Sequence, residues 1–275
     1  MKAVQQASLF FLPLLVFILV IGCSRQSVQD PTPVNPGGRL VSKTDLYYNR
    51  TDYYIYENQQ VKSIVRKDDK TGAVIFTQLL YYSPKGKVTS IVRQMPDRTL
   101  LDYTAEYDAE NRLVNEKINP NAESVAGVYS YSYSSAGLPT KFEYHIENPA
   151  SPRPGGPTYY TAEFNSDKTV SKIYKQSSDG GVEELWVSFF YENTFNPYST
   201  LSLPVAYTYP HINAYFIPIR NLAKVTHPYA TNMESTIECI YEYDAKKRIT
   251  SAVVSAYTPT TQPSLGTKFL FRYED

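Results

Sequence analysis

The chain has 275 residues, and its 27 Lys and Arg balance 27 Asp and Glu along an interspersed sequence. That balance removes the electrostatic case for nucleic acid, which needs a basic face or stripe. Tyr is the unusual component, 26 against 12 Phe and one Trp, and a ring with a wet hydroxyl belongs on half-buried sheet faces more than in a dry core.

The N-terminus carries Lys2, the apolar run "LFFLPLLVFILVIG" (residues 9–22) and Cys23. The run is shorter than the about 20 residues of a comfortable membrane span, so residues 1–22 read as a signal peptide. Gly22 directly before Cys23 resembles the lipobox of bacterial lipoproteins. The resemblance implies that the Cys23 thiol is acylated after cleavage, so that lipid chains hold the protein on a membrane it does not cross. Ser24 stands where an Asp would retain such a protein at the inner membrane, which implies lipid anchoring at the outer membrane, facing the periplasm or the cell surface. Residues 23–40, polar and rich in Pro and Gly, then form a tether, and 41–275 remain for a single all-β domain. With Cys23 lipidated, Cys239 has no disulfide partner, and its alternation with Ile237 and Tyr241 predicts a buried, inert thiol.

Within that domain one pattern recurs. "AEYDAENRLVNE" at Tyr107 returns as "YEYDAKKRITSA" at Tyr243, and related kernels stand at Tyr56, Tyr82, Tyr133, Phe164 and Tyr191. The intervals are 26, 25, 26, 31, 27 and 52 residues, the last being two periods. Each kernel reads as a hairpin. Tyr129, Tyr131 and Tyr133 alternate with Ser130 and Ser132 as a strand does. "SPKG" (residues 83–86) suits a type I turn with Gly86 in the left-handed position, Asp108 and Asn111 serve likewise, and an aliphatic (Val61, Val88, Leu113, Leu138, Val170, Ile249) returns the chain. The fold expected is an all-β antiparallel meander of about seven hairpins, curled into an open or closed barrel-like sheet, with one irregular insertion.

The Tyr-Asp-x-x-x-Arg-Leu/Ile kernel resembles the YD repeats of Rhs-type proteins, although Gly usually stands where Asn111 and Lys247 stand here. With the lipobox and the "YENTFNP" unit, residues 40–275 resemble more closely the Bacteroidetes-type lipoproteins whose domain of unknown function is a porin-like, curled antiparallel sheet. That resemblance implies no activity. An outer-membrane barrel also alternates apolar and polar residues, but the lipid anchor and turns of near-equal length on both sides favour a sheet on a tether.

Chemistry is sparse. His145, His211 and His227 lie far apart without metal spacing, and no nucleophile elbow, Walker loop or dinucleotide turn occurs, so neither cofactor, metal nor enzymatic activity is expected. The expected role is a binding or scaffold module for a glycan or protein ligand. A glycan hydrolase is the alternative, because its carboxylates can come from distant strands. The repeated Tyr either packs neighbouring hairpins or forms a stacking platform. The kernel-free stretch 194–232 contains Pro197, Pro204, Pro210, Pro218 and Pro228 and must leave the meander or run along its edge. It forms a lid over the curled sheet, walls a ligand groove with Trp186, Tyr209, Tyr215 and Phe216, or does both.

Overall fold

In a computed structural model of the chain, the residues described are 35–119, 126–147, 158–176, 183–201, 220–228, 235–257 and 266–275. Sixteen strands follow one another: β1 (Arg39–Asp45), β2 (Arg50–Glu57), β3 (Gln60–Asp68), β4 (Val74–Tyr82), β5 (Val88–Gln94), β6 (Thr99–Tyr107), β7 (Leu113–Ile118) and β8 (Ala126–Tyr133), then β9 (Pro139–Glu147), β10 (Thr158–Phe164), β11 (Val170–Gln176), β12 (Glu184–Phe195), β13 (Arg220–His227), β14 (Ser235–Tyr243), β15 (Ile249–Tyr257) and β16 (Thr267–Glu274). Each pairs antiparallel with its neighbour in sequence, and β1 pairs with β16, so the sheet closes into a barrel without an edge.

The kernels lie at one end. Five turns share one geometry: Gly86, Asn111, Gly137, Lys168 and Lys247 donate to the carbonyls of Ser83, Asp108, Ser134, Asn165 and Asp244, three residues back. Those five donors all have positive φ, between 63° and 77°, as a type I turn closed by a left-handed residue requires. Beyond each turn the last aromatic pairs with the first residue of the next strand, and one residue then bulges: Tyr82 opposite Val88, Tyr107 opposite Leu113, Phe164 opposite Val170, Tyr243 opposite Ile249. A bulge adds local right-handed twist, so one bulge per repeat at the same end curls the sheet toward closure.

Two details differ from the sequence reading. Opposite Tyr133 stands Pro139, not Leu138, which closes the turn by accepting from the Ser134 N–H. Proline is tolerated there because it is the first residue of its strand. The kernel at Tyr191 makes no tight turn: β12 runs on to Phe195 and the chain turns at Pro197–Thr200 before β13, so the count of seven hairpins does not describe this barrel. The excursion replaces a turn between paired strands β12 and β13, and six kernels carry tight turns.

Much of the inner face is apolar. Ile91, Ile173, Tyr103, Phe142, Leu222, Val61, Val88, Val187 and Val225 are almost completely buried. Cys239 joins them, and burial pushes its thiol up to about 11. The outer face carries charge, in mid-strand at the pair Lys224–Glu238 and reaching toward strand ends at Lys172–Glu163 and Lys268–Glu242, with Ile55, Tyr81, Phe190 and Ile240 also exposed. A membrane-spanning barrel carries an apolar outward band, and these charged pairs interrupt such a band on β10, β11, β13, β14 and β16.

Candidate functional site

The tyrosine column is structural. The hydroxyls of Tyr56, Tyr82, Tyr107, Tyr133 and Tyr191 donate at 2.6–2.8 Å to the backbone carbonyls of Leu40, Val61, Val88, Leu113 and Val170. Each of these tyrosines thus ties the kernel end of its own strand to the first residues of the adjacent, preceding strand. Burial pushes the Tyr56, Tyr82, Tyr107 and Tyr133 hydroxyls up to about 12, so they stay protonated donors. The kernel arginines hold the turns. Arg112 Nε donates to Asp108 Oδ2 and Arg248 Nε to Asp244 Oδ2, both at 2.7 Å, while their guanidiniums lie 5.0 Å over the rings of Tyr133 and Tyr273 in the next repeat. Where β13 lacks a kernel turn, Tyr241 bonds to the Leu222 carbonyl and Tyr243 reaches Glu192 and Thr194 instead.

The excursion begins by packing inside. Asn196, Pro197, Tyr198 and Leu201 are buried, and Tyr198 and Leu201 belong to the core formed by β1–β6, β15 and β16. Asn196 starts this segment by accepting from the Tyr198 N–H at 3.0 Å, and Asn221 donates to the Phe195 carbonyl and the Thr194 hydroxyl. The first residues of 194–232 therefore fill the barrel rather than run along an edge.

The inner wall at the opposite end, where the connectors between kernels lie, is polar and aromatic. On β8–β13 the rings form a ladder: Tyr129 to Tyr144 at 4.6 Å, Phe142 stacked on Tyr160 at 4.8 Å and 7°, Tyr160 edge-on to Trp186 at 6.4 Å, and Trp186 edge-on to His227 at 6.2 Å. Lys175 lies 4.8 Å over the Trp186 ring. Trp186, Tyr129 and Tyr144 pack on the core while remaining half-buried. Burial lowers the His227 pKa, which favours neutral imidazole. On β1–β6 the wall is ionic. Asp52 takes Arg66 at 2.7 and 2.8 Å, and Asp102 takes Arg93 and Gln78, both at 2.8 Å. Between the two walls Glu116 accepts from Tyr103 at 2.8 Å and Tyr131 at 2.5 Å, and burial still holds its carboxyl above the ordinary range.

Of the residues singled out in the sequence, Trp186 takes its place in this ladder. Cys23, Tyr209, Tyr215, Phe216 and His211 lie outside the described residues. Among the described residues no group of His, Cys, Asp and Glu is arranged to hold a metal ion. The ionic wall was missed, although its signal was present: Arg66 follows Ile64, and Arg93 follows Ile91, in the phase of the buried side chains. Asp102 had no such phase, because it stands in a bulge of β6, where Ile91 pairs with Tyr103 and Val92 with Leu101.

No known family model matches the chain, and no curated protein does. Among solved structures it is similar to a porin-like protein from Bacteroides vulgatus (8% identity, 86% of this chain and 99% of that one, TM-score 0.49). A porin-like protein from Bacteroides uniformis is 13% identical over 88% of this chain and 99% of its own, with a TM-score of 0.38. A TcdB2–TccC3–Cdc42 structure is 11% identical over 82% of this chain and 13% of its own, with a TM-score of 0.35.

Proposed function

We propose that the protein is a cell-envelope lipoprotein, anchored in the outer membrane through Cys23, whose YD-repeat-like barrel is a binding module rather than an enzyme. Its ligand, a glycan or a protein segment, enters at the connector end. The observation that carries this reading is the inner wall there: the rings of Trp186, Tyr129 and Tyr144 are packed on the core from behind and remain half-buried, as ligand-stacking aromatics are. The charged outer face supports a barrel that sits in water beside the membrane, with lipid chains as the attachment.

The chain has one Trp, so its emission reports on this site alone. A panel of glycans and peptides titrated against the detergent-extracted protein is expected to shift or quench Trp186 emission for at least one class, and Trp186→Ala to abolish calorimetric binding of the same ligand while the protein remains folded. Silence across the panel would remove the binding reading. For the anchor, radioactive fatty acid should label the wild type and not Cys23→Ser; equal labelling sinks it.

A further inference from the structure

The outer face of the barrel has two unlike sides. On β10–β14 charges stand opposite one another, Lys172 against Glu163 and Lys224 against Glu238. On β2–β6 three successive cross-strand rows carry no charge. Ile55, Ser63, Leu79, Val92 and Leu101 form the central row, each opposite the next and therefore on the same face. Tyr53, Val65 and Thr77 flank it toward the connector end, and Tyr81, Ser90 and Thr104 toward the kernel end. Tyr53, Ile55 and Tyr81 are 39–49% exposed, and Val65, Leu79, Val92 and Leu101 are half-buried. At the kernel-end border Glu57 and Glu106 accept from Lys62 and Asn115, and toward the connector end Lys67 lies 5.4 Å over the Tyr53 ring. In the closed strand order β4 and β12 lie half the barrel apart, so the uncharged side and the charged side are opposite.

What covers the uncharged side follows from where the chain leads. The residues before β1 leave at the kernel end, where a Cβ on Gly38 would lie 3.2 Å from the Glu274 carbonyl of β16. β1 is the neighbour of β2, so the chain toward Cys23 departs one strand from the uncharged rows. Eleven residues separate Cys23 from Asn35. Fully extended they reach about 40 Å, which keeps this wall close to any bilayer that holds Cys23. A second copy fits less well. The three rows cover about 400 Å² at ordinary strand spacing, about half of what a stable dimer buries on each partner, and two convex walls meet along a line. A headgroup layer deforms around a convex wall. Tyr rings with wet hydroxyls, and a Lys stem lying along one of them, are groups that settle at its level.

We propose that the outer face of β2–β6 rests on the membrane surface, so that the barrel lies on its side with β10–β14 turned to water. This rests on the lipid-anchor reading above and adds which wall meets the bilayer. Lying so leaves the connector end, where Trp186 stands, open to ligand.

The test places single labels on the full-length lipoprotein in vesicles of phosphatidylethanolamine and phosphatidylglycerol. Ile55→Cys and Lys224→Cys, each carrying an environment-sensitive fluorophore, compare the two sides, and Cys239 is buried and does not compete for the label. With lipids spin-labelled just below the headgroups, the label at position 55 is expected to be quenched about threefold or more above the label at 224, since an interfacial apolar face sits about 5–10 Å deep. If Ile55→Cys does not fold, Tyr81→Cys reports the same face. Ile55→Glu should remove the quenching at position 81 while the protein still floats with the vesicles. Equal quenching of the two sides in protein that floats overturns the face and leaves the anchor standing. Oxidative cross-linking of Ile55→Cys copies without quenching gives the face to a second copy and overturns the lipid contact. Failure to float overturns the contact together with the anchor.

Discussion

At the kernel end, five turns of one geometry carry five sequences, SPKG, DAEN, SSAG, NSDK and DAKK, while at the connector end a single unrepeated set of side chains lines the wall. The turns tolerate that variety because their demands are local: an acceptor at the first position, a left-handed residue at the fourth and, after SPKG, DAEN and NSDK, a Tyr one repeat later to cap the carbonyl of the returning strand. The connector end depends on residues from many strands at once. Asp102 serves Gln78 and Arg93 from two other strands, and Asp52 serves Arg66 and Lys43 likewise. One end is redundant and the other is not, so equal insults should have unequal effects.

The largest effect is expected at the connector end. Asp102→Ala leaves Arg93 and Gln78 without their acceptor behind the ring of Phe76, and should cost about 3 kcal/mol, near the lower limit for breaking a buried pair because Arg93 keeps some access to water. A urea denaturation midpoint measures it; a loss below about 1 kcal/mol would make this wall as forgiving as a surface pair.

Smaller losses are expected at the kernel end. Gly86→Val places a β-branched residue at a φ of +77°, with its Cβ 3.0 Å from Gln60 Nε2, and should cost about 2 kcal/mol. Tyr107→Phe deletes one hydroxyl and should cost about 1 kcal/mol; Tyr82→Phe and Tyr133→Phe should match it, since the three bonds are alike. A threefold spread among them in thermal denaturation would break the claim of redundancy. The same logic gives a gain. Lys168 and Lys247 hold positive φ without being Gly, at 69° and 63°, so replacing either by Gly should stabilise by about 0.5 kcal/mol.

How legible each end was follows from this difference. The kernel end could be read from the sequence because each repeat states its turn within a few residues, and the fourth-position residue of SPKG or DAEN specifies its backbone without tertiary help. Closure could not be settled so, since the pairing of β1 with β16 joins residues more than 200 apart and depends on twist accumulated over all the strands. The turn kernel at Tyr191 misled for the same reason: "YENTFNP" has turn residues, but Asn196 is used to start a segment that fills the barrel, where Tyr198 meets Phe271 and Lys43. In the candidate site Trp186 was legible as a rare aromatic beside the break, whereas Asp102 was hidden by a bulge that changes which face it meets.

The two ends should also answer pH with opposite sign. At the kernel end Asp108 and Asp244 are disfavoured somewhat by desolvation, but the backbone and side-chain hydrogen bonds from Arg112 and Arg248 outweigh it and hold both carboxyls below their ordinary value. Such groups add stability above the ordinary carboxylate range that is lost as pH falls through their folded values. Glu116 is the reverse: burial holds it above 4.5, only partly countered by the hydroxyls of Tyr131 and Tyr103, so its contribution is complete below 4.5 and lost as pH rises through its folded value. Glu116→Gln keeps an oxygen for one phenol and cannot ionise. Relative to wild type it should gain stability as pH rises above 4.5 and lose that advantage on acidification, whereas Asp108→Asn should lag the wild type at neutral pH and converge with it in acid. Urea midpoints between about pH 3 and pH 8 separate the two. If Glu116→Gln runs parallel to the wild type throughout, Glu116 is hydrated in the lumen and the connector end is wetter than its contacts imply.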